Sequence, residues 1–270
     1  MKDNCKNKSA LLVVSFGTTS EESRRLNIGA VEQAIGEATN SFPVRRAFTS
    51  QMIINIIAKK EGVRIDNVRE AIDRALSDGA DTLVVQPTHL MNGLEYDKLC
   101  GILDEYSGSF ERIALGDPLL TSDDDFDKVA DAVTSATLEY ADGNTAIVLM
   151  GHGTEAAANG IYDRMQDVLA AKGRTDYYIG TVEASPSLDD VIAAVGRGDY
   201  SRVVLRPLML VAGNHAVNDM ADPDDPDSWY SRFTEAGYET VCVIDGLGQI
   251  PEIRDIYADH AHRAIASLNM

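Results

Sequence analysis

The chain is written twice. ALLVVSFGTTSEESRRLNIGAVEQAI opens at residue 10 and AIVLMGHGTEAAANGIYDRMQDVL at residue 146. Each is an apolar run, a small-residue turn with Gly-Thr, and then apolar residues at the roughly 3.6-residue spacing of a helix. The parallel continues through VRRAFTSQMII and YYIGTVEASPSLDDVI, then DTLVVQPTHLMNGLEYDKL and SRVVLRPLMLVAGNHAVNDM. In the last pair the offset from Pro87 to Gly93 is repeated from Pro207 to Gly213. RIALGDPLL and VCVIDGLGQ complete each half, and each is followed by an amphipathic segment.

Strands alternating with helices predict parallel sheets with right-handed crossovers. Continuous apolar strands such as LLVV and RVVL predict sheets covered on both faces. The expected fold is α/β: two similar domains, each a parallel sheet flanked by helices, with an interdomain cleft. The expected domains are 1–140 and 141–270, divided in the polar stretch ADGNT. Ligands of such sheets bind at the carboxyl ends of the strands.

Composition narrows the partners. The net charge is -19, from 43 acids against 24 Lys plus Arg. Nucleic acid is not expected, because phosphate binding needs a basic footprint. No apolar run approaches the roughly 20 residues of a membrane span. The run after MKDNCKNKS is short and leads straight into Gly-Thr-Thr, so it reads as a first strand rather than a signal peptide. Cys5, Cys100 and Cys242 are too widely spaced for a disulfide framework or a cysteine zinc site. A cytoplasmic protein is expected, and the sequence leaves a homo-oligomer open.

Chemistry enters where the halves differ. SFGT aligns with GHGT, which sets Phe16 opposite His152. Counting from the shared proline and glycine sets Glu95 opposite His215, and Ser50 falls opposite Glu183 to within a residue. The second half therefore carries His152, Glu183 and His215 at three strand ends on one sheet edge. Two imidazoles and a carboxylate suit a borderline divalent ion such as Co, Fe, Ni or Zn, with positions left open for substrate. Glycines beside His152 are expected to turn the backbone and admit a ligand closely. Each residue alone also has an ordinary reading: a strand-end histidine satisfies itself with polar neighbours, and Glu183 is an acid at a helix start marked by Ser185 and Pro186. His260 and His262 are two apart on a helix and are expected at the surface. His89 sits just past a strand and either caps a loop or touches a ligand. The acid run DPDDPDSW lacks the glycine and terminal glutamate of an EF-hand and reads as a solvated loop.

ALLVVSFGT, RAFTSQMII, NGLEYDKL, MGHG, TVEASP and PLMLVAGNHAVNDMA with a following DSW occur in that order, from about Ala10 to Gly248. Together they resemble the anaerobic sirohydrochlorin cobaltochelatases of the CbiK type, in the class II chelatase superfamily. The resemblance implies insertion of cobalt(II) into sirohydrochlorin without ATP in cobalamin synthesis, with cobalt as substrate metal and no organic cofactor. It implies His152 and His215 as metal ligands, with His152 also accepting pyrrole protons, Glu183 as a third ligand, and Glu95 facing the tetrapyrrole. The expected catalytic residues are His152, Glu95 and His215.

Other readings keep the same histidines. A sirohydrochlorin ferrochelatase would use the same donors, and a non-catalytic metal or tetrapyrrole carrier would bind without turnover. A sugar or amino-acid binder is disfavoured by the lack of a signal peptide. Sirohydrochlorin is rich in carboxylates, so the acidic protein is expected to supply local cations. Arg45, Arg46 and Arg206 stand near predicted strands, and the turns at Thr18, Thr19 and Thr154 open helices whose N-termini favour anions. Each arginine reads equally as a surface ion pair.

Overall fold

The computed structural model describes residues 8–39 and 42–268. Strands β1 (Ser9–Ser15), β2 (Val44–Phe48), β3 (Thr82–Pro87) and β4 (Arg112–Leu115) form one parallel sheet in the order β2-β1-β3-β4. Strands β5 (Thr145–Gly151), β6 (Tyr177–Thr181), β7 (Arg202–Pro207) and β8 (Glu239–Cys242) form a second in the order β6-β5-β7-β8. Central strands β1 and β5 are the continuous apolar runs read from the sequence, and nearly every residue in them is buried. Edge strands β4 and β8 are only partly covered.

In the first half, α1 (Glu21–Ser23) passes through a π-helical turn, Arg24–Gly29, into α2 (Ala30–Ala38). There follow α3 (Gln51–Glu61), α4 (Val68–Ser77), α5 (Leu94–Glu105) and α6 (Asp123–Ala136). The second half holds α7 (Ile161–Ala171), α8 (Leu188–Val195), α9 (Trp229–Glu235) and α10 (Pro251–Ser267). Reciprocal capping boxes start α4 (Asn67, Glu70), α6 (Ser122, Asp125) and α8 (Ser187, Asp190), each satisfying two orphan donors of the first turn. The expected single helix after β2 is a pair, α3 and α4. Gly62, in the left-handed region at φ +68°, ends α3, where a side chain would strain the backbone.

The repeat holds bond for bond. Val14 pairs with Pro87 as Met150 pairs with Pro207, and Ser15 pairs with Phe48 as Gly151 pairs with Thr181. The main chain keeps pairing past the strand ends: Thr49 N donates to Ser15 O as Val182 N donates to Gly151 O. Leu119 N donates to His89 O as Leu247 N donates to Met209 O. These contacts fix the alignment of Phe16 with His152, Ser50 with Glu183 and His89 with Met209, and the equal offsets from Pro87 and Pro207 carry it to Glu95 with His215.

Two compact units result, but their limits differ from the expected 1–140 and 141–270. One comprises 1–121 with 254–270, the other Ser122–Ile253. The helix after each sheet's last strand belongs to the other unit. Helix α6 buries Phe126, Val129 and Val133 and packs on α7, where the Arg164 guanidinium lies 4.0 Å from the Phe126 ring centre. Lys172 reaches Asp127 (3.2 Å) and Asp131 (3.0 Å), and the hydroxyls of Thr137 and Tyr177 meet at 2.5 Å. Helix α10 is held in the first unit, where Tyr257 OH donates to Thr88 O at 2.9 Å and His260 Nδ1 lies 2.9 Å from Asp117 O. Sequence periodicity identifies both helices as amphipathic but does not say which sheet receives the apolar face.

Phe126→Ala is expected to destabilise the protein by about 3–5 kcal/mol, the usual cost of emptying a buried phenylalanine site. Urea denaturation checks this, and a loss below about 1 kcal/mol would mean that α6 is not anchored here.

Candidate metal centre

His152 is the first residue after β5. Glu183 N donates to His152 O at 2.9 Å, so the pairing of β5 with β6 runs one step past the strands and sets the two side chains together. His152 Nδ1 and Glu183 Oε2 are 3.5 Å apart. Glu183 stands on the loop before α8, which is capped by Ser187; it is not the helix-start acid its neighbours suggested. The glycines around His152 have separate causes. Gly153 has φ +87°, and a Cβ there would lie 2.8 Å from both Ala184 N and Thr181 Cβ. Its freedom from a side chain lets the loop turn beside Glu183. Gly151 instead makes room for Tyr162, whose ring would meet an added Cβ at 2.2 Å. That is packing, and it replaces the expectation that both glycines open access to a ligand.

His215 begins a π-helical turn, His215–Met220. The same turn carries Asp219, whose Oδ2 lies 2.5 Å from His215 Nδ1. The carboxylate accepts, so the Nδ1 proton points to Asp219 and the Nε2 lone pair is free. His152 Nδ1 lies 3.0 Å from Gly153 O; a carbonyl also only accepts, which leaves His152 Nε2 free. Fixing a metal-binding histidine by its far nitrogen is the usual second layer of a metal site.

The rings of His152 and His215 lie edge to face with centres 4.7 Å apart. Ligand atoms of His152, Glu183 and His215 all fall within 4.8 Å of one another, the one such group of three among the described residues. Two ligands at bonds of about 2.1 Å span at most roughly 4.2 Å, so the side chains close slightly on an ion. They are free to do so: the side chains of His152, Glu183 and His215 are 48%, 55% and 36% exposed. Three donors on one open edge leave coordination sites for a substrate.

The family described as cobalt chelatase (CbiK) matches residues 9–266. The chain belongs to the CbiK cobalt chelatase family. Sirohydrochlorin cobaltochelatase of Salmonella typhimurium is 36% identical over 258 residues, covering 96% of this chain and 97% of that protein. Sirohydrochlorin cobaltochelatase CbiKC of Nitratidesulfovibrio vulgaris is 28% identical over 264 residues, covering 97% and 92%. In fold, the chain resembles Bacillus subtilis SirB with Fe3+ (TM-score 0.65, 14% identity, 97% and 98% covered) and CbiX, a siroheme enzyme of denitrifying bacteria (TM-score 0.56, 15% identity, 94% and 99% covered).

Other expected residues of this CbiK-family chain have different fates. Glu95 lies in the first turn of α5 in the first unit, is not one of the three clustered residues, and accepts from Lys98 Nζ at 2.6 Å. Burial pushes its carboxyl pKa up, but Lys98, Thr49 and His89 outweigh this and the net shift is downward. Arg45 pairs with Asp78 at 2.7 Å and Arg46 grips Glu32 through two nitrogens. Arg206 is buried, not presented to a ligand. It donates to Ala136 O at the end of α6 (3.3 Å), where a cation suits the helix dipole. Burial pulls its pKa down, with Asp245 opposing. Thr18 and Thr154 use their hydroxyls locally, accepting from Ser20 N and Ala156 N. His260 is buried, against expectation, while His262 is exposed. Residues 222–228 form a turn-rich loop before α9. Cys100 and Cys242 are free thiols, and Cys5 lies outside the described residues. Among the described residues no helix is long and apolar enough to cross a membrane. Asp219 was not singled out in the sequence; its i,i+4 spacing from His215 in HAVND is the signal that finds it.

His89 follows β3 with both ring nitrogens buried and without a hydrogen-bond partner. Burial drives its pKa down to about 4, against a smaller opposing pull from Glu95.

Asp219→Ala is expected to weaken cobalt(II) binding by about 10–100-fold, and Gly153→Ala to weaken it further by displacing the loop. Isothermal titration checks both, and an unchanged Asp219→Ala affinity would remove the orienting role. For His89, an unfolded imidazole titrates near 6.5. Its low folded pKa gives stability that is whole above that pH and is lost as pH falls toward about 4. Wild type should lose about 3 kcal/mol more than His89→Leu over this range, measured by urea melts at each pH.

Proposed function

We propose that this chain is a sirohydrochlorin cobaltochelatase that inserts cobalt(II) into the tetrapyrrole without ATP. The observation that carries the reading is the open His152–Glu183–His215 cluster at the carboxyl edge of the second sheet. A closed cage would trap its ion, whereas three exposed donors present it.

The substrate class is supported by where apolar side chains meet water. Among the described residues, five of the seven large exposed hydrophobics stand past the carboxyl ends of strands: Phe16, Met52 and Leu94 in the first unit, and, separately, Val217 and Ile244 in the second. Exposed apolar groups collected at ligand-binding edges mark a contact surface. A flat macrocycle is an apolar face with charged groups at its rim, and it suits an apolar edge of either unit.

Insertion exchanges two pyrrole protons for one divalent cation. His152 Nε2, His215 Nε2 and a Glu183 oxygen hold cobalt(II) while ring nitrogens enter the open positions. Each pyrrole N–H breaks as its nitrogen bonds the metal. Imidazole nitrogens released by the departing ion accept protons, as neutral histidine does near physiological pH. Glu95 serves as a further proton acceptor. The donor set also admits iron(II); cobalt is preferred because the family and its curated relatives are cobalt chelatases.

An anaerobic absorbance assay with sirohydrochlorin and cobalt(II) or iron(II) tests this. Multiple turnovers are expected in wild type, falling at least about 100-fold in His152→Ala and His215→Ala. Phe16→Ala should raise KM for sirohydrochlorin with kcat little changed. Stoichiometric uptake without acceleration would identify a carrier, and faster turnover with iron(II) would reassign the metal.

A further inference from the structure

The ladder that joins β5 to β6 has two rungs past the strands, Val182 N to Gly151 O at 3.1 Å and Glu183 N to His152 O at 2.9 Å. Beyond them the two loops part, where Gly153 turns at φ +87°. His152 and Glu183 therefore stand at the last main-chain rung, and the end of a ladder is where it frays most easily. One step further, a side chain takes over. The Asn159 amide accepts from Thr154 N at 3.0 Å and donates to Ser185 O at 2.6 Å. Thr154 lies two residues past His152, and Ser185 two past Glu183.

A carboxamide donates and accepts as a peptide unit does. The N–H of Thr154 only donates and the carbonyl of Ser185 only accepts, so both ends of the amide are assigned by their partners. The amide is itself held. Asn159 sits in a 3-10 turn, Ala157–Gly160, that leads into α7, and its own N–H donates to Ala156 O at 2.9 Å. Across Ala156 to Gly160, sequence AAANG, no other side chain can form a hydrogen bond. Three residues on, the Tyr162 hydroxyl accepts from Gly153 N at 3.3 Å. The Glu183 loop is closed on its far side by Thr181, whose N and Oγ1 both donate to Pro186 O, at 2.7 and 3.2 Å. In the first unit the matched loop carries Phe16 in place of His152, and a different device holds it: Arg24 donates to Thr18 O at 3.1 Å and pairs with Glu61.

We propose that Asn159 is a positioning residue for the metal centre: its amide adds a rung between the loops of His152 and Glu183 and so fixes the separation of these two donors. This rests on the reading of His152, Glu183 and His215 as the metal site. Asn159 acts through the main chain, not as a ligand. The side chains of His152 and Glu183 are about half exposed, so the main chain sets where each of them starts. Without the bridge, Thr154 N and Ser185 O turn to water, and the loops separate beyond the last main-chain rung. Glu183 then spends less time within reach of an ion held by His152. His215 is spared, because it stands on its own π-helical turn with Asp219. Asn159 is thus coupled to Glu183 and independent of Asp219.

The test is cobalt(II) titration of the full chain without tetrapyrrole, followed by calorimetry and by the visible absorption of the bound ion. The variants are Asn159→Ala, Glu183→Ala, Asp219→Ala and the two doubles that combine Asn159→Ala with each of the others. Asn159→Ala should weaken binding about tenfold, the lower end for residues that support a ligand. In the Glu183→Ala background it should cost less than about twofold, since the donor it places is gone. In the Asp219→Ala background the full loss should remain, as for independent sites. At saturation the spectrum of Asn159→Ala should shift toward that of Glu183→Ala. A merely structural role would lower affinity alike in every background, and urea melts of the metal-free chains would show the lost stability. Unchanged affinity in Asn159→Ala, or the same loss in the Glu183→Ala background as in wild type, would overturn the proposal while leaving the metal site standing. If Glu183→Ala binds as wild type does, or wild type binds no cobalt(II), the metal-site reading falls and the proposal falls with it.

Discussion

The chemistry of this protein depends on parallel strands that keep pairing after they stop being strands. A parallel sheet puts all of its carboxyl ends on one edge, and its buried interior leaves only the ends free to vary. Here the ladder runs on through Val182 N to Gly151 O and Glu183 N to His152 O. Those bonds, rather than any contact between side chains, set His152 beside Glu183. His215 arrives from the next loop on a π-helical turn. A π turn widens the helix by one residue per bond, and such turns recur at functional sites. The cluster is therefore held by backbone, with its side chains left exposed enough to adjust.

Duplication gives one scaffold two uses. In the second unit the matched edge positions are His152, Glu183 and His215; in the first they are Phe16, Ser50 and Glu95. The apolar interior is indifferent to the exchange, because none of these residues lies within a strand. Ser50 shows how far the roles diverge: it caps α3 by accepting from Ile53 N, while its counterpart Glu183 precedes a helix that Ser187 caps. A residue relieved of capping is free to face a ligand. Two imidazoles and a carboxylate collect in one unit, and a phenyl ring, a hydroxyl and a carboxylate stand at the matched positions of the other.

Strand order, parallel register and the pairing of the two halves were legible in the sequence, because period and proline–glycine spacing are local signals. The cluster was legible for the same reason: once register is known, strand ends align. What was not legible depends on partners distant in sequence. Arg206 looks like a surface cation until α6 covers it, and His260 looks exposed until Asp117 O meets it. The division of the chain moved because an amphipathic helix has an apolar face but no address. Gly151 is explained only by Tyr162, eleven residues on in sequence and across a crossover. Asp219 is an intermediate case, since its spacing from His215 was visible but the turn that joins them was not.

An acidic protein acting on an anionic tetrapyrrole raises a problem of charge, and the structure shows how it is not solved. Arg45 and Arg46 are committed to Asp78 and Glu32, and Arg206 to the end of α6. None offers a free guanidinium to a carboxylate. Apolar side chains are exposed at the sheet edges, with Phe16 half exposed and Leu94 more so. Binding through the ring face leaves rim carboxylates in water, where solvation and salt blunt repulsion beyond roughly 8–10 Å. The negative surface then acts on the other substrate, raising the local concentration of divalent cations near the open cluster. On this view the protein draws in the metal by charge and the macrocycle by its apolar face. The metal donors need be no stronger than is required to hold an ion until ring nitrogens replace them.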